Sequence, residues 1–177
     1  ENGKYTPTIR KLYMQMMAHG ISAANVETII RNVMTTINKK NVGRLPRASC
    51  AAEIQKEAAA LAKLQCGISI LESDCNTLHL DGTQDHFREF NTVEISNEQG
   101  TLSVGFDQMA GGSSDDYLDS VMFLLKDVAE MLIPKGASNF DYNMKLAEIF
   151  ANIQVIMSDR HAVNKSFGEC FSAVRVN

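Results

Sequence analysis

Two aspartates stand where short apolar runs stop. Asp81 follows Leu78-His79-Leu80, and Asp159 follows Ile153-Gln154-Val155-Ile156-Met157-Ser158. Carboxylates presented from the ends of rigid elements suit hard cations, which take oxygen ligands. If the two converge, they are expected to hold Mg²⁺ or Mn²⁺, and metal held in this way clamps the attacking and leaving oxygens of a phosphodiester. Neighbouring side chains compete for roles. His79 shares a strand face with Asp81, although a histidine satisfied within a sheet is the simpler reading. Asp85 and His86 could line the same site or form a surface turn. Arg160 and His161 directly follow the second acid and either meet a phosphate or lie in solvent at a helix start. The segment AGGSSDD (110–116) lacks the lysine and the glycine spacing of a phosphate loop, and two acids at a helix start repel phosphate, so it reads as a structural cap. No Cys-His or Ser-His constellation recommends itself for nucleophilic catalysis.

For Asp81 and Asp159 to meet, their strands must be neighbours. Period-two alternation marks Thr77 to Asp81 as a strand, with Gly82 breaking the pattern. A second strand is expected over Phe87 to Ser96, and NEQG (97–100) turns into a third in which Leu102, Val104 and Phe106 alternate with polar or small residues. A helix from Ser113 or Ser114 follows, carrying Tyr117, Leu118, Val121, Met122, Leu125, Val128, Met131 and Leu132, and Pro134 and Gly136 end it. A shorter helix runs from about Tyr142 to Phe150. The nearly unbroken apolar run Ile153–Met157 suggests a strand buried on both faces, and a last helix spans about Ala162 to Ser172. A helical crossover lets this fourth strand pair in parallel beside the first.

The first part of the chain reads as helical. Thr6-Pro7 is an N-cap with proline at the first helical position, and Gly20 is the stop. Ser22 caps a second helix striped by Val26, Ile29, Ile30, Val33, Met34 and Ile37. Asn41 to Ser49 reads as a linker, and a third helix begins at Ala48 and is closed by Gly67. The boundary between a helical region, 1–70, and the core, 71–177, is placed there. The fold class expected is α/β, a helical region followed by three antiparallel strands, a helix, a parallel strand and a helix.

The 177 residues carry 45% hydrophobic side chains, enough for a core and against wholesale disorder. No apolar stretch reaches the roughly 18 residues of a membrane span, and no signal-peptide pattern opens the chain. Its start at Glu1 suggests a fragment or a processed chain. Cys50, Cys66, Cys75 and Cys170 form no C-x-x-C pair, so free thiols in a reducing nuclear or cytoplasmic compartment are expected. Charge is uneven. Residues 1–50 hold eight Lys/Arg against Glu1 and Glu27, a net of +6, and the nine basic and nineteen acidic residues that remain leave −10. That asymmetry fits a nucleic-acid-facing arm beside an acidic catalytic body, or simply a solvated helix pair. Arg31, Lys39, Lys40, Arg44, Arg47 and Arg160 are the candidate nucleic-acid contacts. DNA is the expected partner, no membrane is, and the N-terminal helices offer a surface for homo-oligomers.

Three segments, LHLDGTQDH (78–86), GFDQMAGGSSDDYLDSVMFLLKDV (105–128) and IMSDRHAVNKSF (156–167), resemble the catalytic core of transposase-derived proteins of animal genomes. The likeness covers residues 70–175 best and extends to YTPTIRKLYMQMMAHGISAANVETIIRNV (5–33). It implies an incomplete ribonuclease-H-like mixed sheet, with Asp81 as first and Asp159 as second acid of a DDE-type site. It also implies Mg²⁺- or Mn²⁺-dependent DNA strand cleavage and transfer. Such enzymes take a third carboxylate from a later helix beyond a further strand. Glu169 follows Asp159 too closely for that role, so the chain is expected to stop before the third acid. It is then either part of a larger enzyme or an inactive descendant that binds DNA or a protein partner, or self-associates.

Overall fold

The computed structural model of the protein describes residues 5–39, 41–136, 138–158 and 162–176, the side chains of 162–165 and 174–176 apart. It divides into two compact units, Glu1–Leu61 and Ala62–Asn177. In the first, helix α1 (Pro7–Ala18) starts as the sequence dictates, with the Thr6 hydroxyl accepting from the Ile9 amide and proline in the first turn. Helix α2 (Ala23–Asn38) has Ser22 at its N-cap position, though the side chain makes no capping bond. Tyr13, Val26, Ile30, Leu45, Ala51 and Ile54 form this unit's core.

Helix α3 (Ala48–Glu72) runs past the point where Gly67 was expected to close it, and the division between units falls inside it. Within the second unit, Gly67 is the place where α3 meets helix α4 (Ser114–Leu132). A methyl group there would lie 2.8 Å from Leu132 Cδ1 and 2.9 Å from Val128 Cγ1. The glycine thus serves a close helix crossing, and one weak helix former costs only about 1 kcal/mol within a long helix.

The second unit is mixed α/β. Strands β1 (Asn76–Asp85), β2 (Arg88–Asn97), β3 (Gly100–Met109) and β4 (Ile153–Met157) lie in the order β3-β2-β1-β4. The first three are antiparallel, and β4 runs parallel beside β1, the placement that the crossover rule favours. Gly82 does not interrupt β1. Pairing continues through Gly82–Asn91 to Asp85–Arg88, and a side chain at Gly82 would run into the Tyr117 hydroxyl of α4. His86 and Phe87 have φ of 48° and 64°, making the two-residue connection whose left-handed backbone matches strand twist. The Asp85-His86 pair is therefore a surface turn. His86 bonds Asp85 Oδ1 through Nδ1 at 2.6 Å, and Phe87 is fully exposed.

Leu78, Leu80, Val93, Ile95 and Val104 point to one sheet face. There they meet the end of α3, α4, helix α5 (Asn139–Ala151) and helix α6 (Ala162–Val176). The opposite face carries Thr77, His79 and Asp81 of β1, Thr92 and Glu94 of β2, and Val155 and Met157 of β4. Val155 is 43% and Met157 56% exposed, so β4 is not buried on both faces. Its inward residues Ile153 and Ile156 reach the core, and no described element covers the other side.

Both helices that follow loops on this layer open with reciprocal caps. Ser113 accepts from the Asp116 amide while Asp116 accepts from the Ser113 amide, and Ser138 pairs with Asp141 in the same way. These bonds hold both carboxyls below their ordinary value of 3.8, the Ser113 hydroxyl leading for Asp116 and the Ser138 amide for Asp141. A carboxyl lowered by folding stabilises the fold above its unfolded value and loses that contribution as pH falls through the lower, folded one. The double variant Asp116→Asn, Asp141→Asn, which removes both titrating groups, is therefore expected to flatten the dependence of the melting midpoint on pH below about 4. An unchanged acid limb in thermal melts would refute the assignment.

Candidate functional site

Alternation along β1 sends Leu78 and Leu80 into the core and turns His79 and Asp81 to the open face. Asp81 is exposed and opposite Thr92. The parallel pairing with β4 ends at His79–Met157, so Asp81 stands two residues beyond it, midway along β1 and near the carboxyl end of β4. His79, Leu80, Asp81, Thr92, Glu94, Met157 and Ser158 line a cleft of about 360 Å³ there.

Of the two acids, the structure places Asp81 in this cleft. Asp159 lies outside the described residues, as do Arg160, His161 and Lys40. Ser158, the residue before Asp159 in the chain, forms part of the cleft wall. Glu94 sits on β2 opposite His79 and diagonal to Asp81. Diagonal neighbours on one sheet face are within reach of each other's side chains. Counting back from the Asp85–Arg88 turn pair gives this register. His79 Nε2 is bonded to Ser96 Oγ at 2.5 Å, across to β2, which satisfies the ring within the sheet as the simpler reading expects.

The donor set facing the cleft is thus two carboxylates and the hydroxyls of Thr92 and Ser158. These are hard oxygen donors of the kind Mg²⁺ and Mn²⁺ take. Among the described residues, no three of His, Cys, Asp and Glu come together to hold a metal ion. AGGSSDD is a structural cap, made by Ser113 and Asp116.

The basic candidates of the helical unit divide by what they touch. Arg31 pairs with Glu27, with Nη2 to Oε1 at 2.9 Å, and donates to the carbonyls of Val42 at 3.0 Å and Gly43 at 3.3 Å. Lys39 ends α2 in the left-handed conformation, φ 50°. Arg44 and Arg47 are exposed. All four cysteines are free, and burial pushes the Cys66 thiol up to about 11. No described helix is long and apolar enough to cross a membrane. Set against known protein families, curated proteins and solved structures, the chain matches none of them.

Proposed function

We propose that the sheet unit is part of a DDE-type transposase- or integrase-like protein, with a ribonuclease-H-like core that cuts and joins DNA using Mg²⁺ or Mn²⁺. The observation that carries this reading is the position of Asp81. It is an exposed carboxylate just past the parallel β1–β4 pair, in a cleft whose wall runs directly into Asp159 along the chain. The strand order β3-β2-β1-β4 and the helices on one face also support it.

In this reading Asp81 and Asp159 hold the cation. Glu94 adds negative potential beside Asp81, and the Thr92 hydroxyl is a further oxygen donor. A bound divalent cation would supply charge neutralisation to the phosphodiester oxygens. His79, tied to Ser96, stays in the sheet and takes no proton. Free thiols agree with a reducing nuclear or cytoplasmic setting. A second reading, an inactive relative that binds DNA or a partner protein, or self-associates through the helical unit, keeps the fold and dispenses with the cation.

The test is Mn²⁺ titration of the full chain by calorimetry. Asp81→Asn and Asp159→Asn are each expected to weaken binding about tenfold or more, as losing a ligand does at least as much as losing its supporting partner. Because Asp81 is exposed, its amide variant is expected to fold. A wild-type chain that binds no Mn²⁺, or a folded Asp81→Asn that binds it equally well, would leave the second reading standing.

A further inference from the structure

The segment between α2 and α3, read from sequence as a linker, is pinned at four carbonyls by side chains. Arg31 donates to Val42 and Gly43, the Tyr5 hydroxyl to Leu45 at 3.0 Å, and the Tyr13 hydroxyl to Pro46 at 2.9 Å. Leu45 and Pro46 are buried, and Tyr13 is fully so, its phenol pushed up to about 12 chiefly by burial and hence a neutral donor at any physiological pH. With the carbonyls turned inward, Arg44 and Arg47 are left exposed beside a cleft of about 510 Å³, which Arg31, Ser49 and Cys50 also line. Among the described residues neither Arg44 nor Arg47 has a carboxylate partner, whereas the one acid in the wall, Glu27, is taken by Arg31. Residues 1–61 hold nine basic and four acidic side chains, a net of +5.

We infer that this cleft is a phosphate-binding site for the backbone of DNA, with Arg44 and Arg47 as the contacting residues and Arg31 as a positioning residue. A guanidinium is always charged and presents a rigid fork to phosphate oxygens. A loop backbone held at four points loses little entropy on binding, so the positions from which its two free arginines project are fixed in advance. Such contacts set affinity and register without reading bases. The choice of DNA as the source of the phosphate rests on the proposed function. The site itself needs neither Asp81 nor a cation.

The experiment is fluorescence anisotropy of the full chain with a random-sequence duplex across a series of KCl concentrations. Arg44→Ala with Arg47→Ala is expected to weaken binding tenfold or more and to flatten the slope of log K against log salt by about two. Removing the same charge as Lys126→Ala with Lys135→Ala, in the other unit, is expected to change neither. Equal loss in that control, no loss in the cleft variant, or no duplex binding by the wild type would each overturn the inference. So would binding of inorganic phosphate that needs both arginines without any duplex binding. Run without divalent cation, the duplex titrations do not involve the cation site proposed around Asp81. Mn²⁺ binding is read separately on the same samples, so either result can fail without the other.

Discussion

Asn76→Ala is expected to cost about 3 kcal/mol and to lower the melting midpoint by about 10 °C. Asn76 opens β1, is fully buried, and uses every part of its amide. Its Nδ2 donates to the carbonyls of Ile70 and Asn152, both at 2.9 Å, and its Oδ1 accepts from Asn97 Nδ2 at 3.0 Å. Asn97 in turn reaches Ser69 Oγ at 2.9 Å. One side chain therefore joins the end of α3, the end of α5 and the end of β2. Truncation leaves two carbonyls without their partner and takes one acceptor from the Asn97 amide, which keeps Ser69, and an unmet buried group is worth about 1–3 kcal/mol. Water at the partly buried Asn97 and Asn152 returns some of this, which keeps the sum near the lower figure. Asn76→Asp separates polarity from donation. The carboxylate matches the shape but gives neither carbonyl a hydrogen, so it is expected to be at least as damaging at neutral pH and to recover partly in acid, where the carboxyl regains one O–H. Thermal unfolding followed by circular dichroism reads both variants. A loss under about 1 kcal/mol for Asn76→Ala would show that the hub is dispensable.

Local signals in the sequence carried most of the elements of this fold. Thr6-Pro7, Ser113 and the alternation at Leu78–Asp81 each act through neighbours in the chain, and each produced the expected cap or strand face. Strand order followed because an antiparallel meander, a crossover helix and chain chirality leave few arrangements. The misses share another cause. Gly67 and Gly82 read as stops, since glycine is a poor helix or strand former, yet both mark where α4 approaches, and that approach is written in Val128, Leu132 and Tyr117 rather than nearby. Helix α5 begins earlier than its apolar stripe because Ser138 and Asp141 cap it, with Asp where the usual box has Glu or Gln. The run Ile153–Met157 is apolar throughout, and that pattern is silent on whether anything covers the side bearing Val155 and Met157. For the candidate site, the outward turn of Asp81 was legible. Glu94 was not, because its position beside Asp81 depends on pairing register, which a turn built from His86-Phe87 in place of the favoured Asn-Gly conceals. Residues 41–47 do connect α2 to α3 as a linker, but the anchoring of that loop was not legible, since the tyrosines and the arginine that pin it lie well upstream.

The seat of α6 gives the other large effect. Phe167 is fully buried, and its ring lies 5.7 Å from that of Phe171, which is itself 5.3 Å from Phe150 of α5. The tilted geometry suits ring quadrupoles, and the three rings close one end of the core beneath α4. Phe167→Ala removes a full ring from a site walled by helices on several sides, which collapse poorly into the space. The expected cost is about 3–5 kcal/mol, transfer and cavity together. Phe140, on the outer side of α5 and 71% exposed, supplies the comparison, because Phe140→Ala deletes the same atoms from solvent and is expected to stay within about 0.5 kcal/mol of the parent. α6 follows β4 in the chain and packs against α4. Loosening α6 should therefore be felt at the carboxyl end of β4 before the β1–β2 hairpin, whose ladder does not depend on it. Urea unfolding gives the global cost. Native-state hydrogen exchange in the Phe167→Ala protein then tests the order, with β4 amides expected to exchange faster than those of β2. Uniform acceleration across the sheet would show that α6 supports the unit as a whole rather than the strand that leads into Asp159.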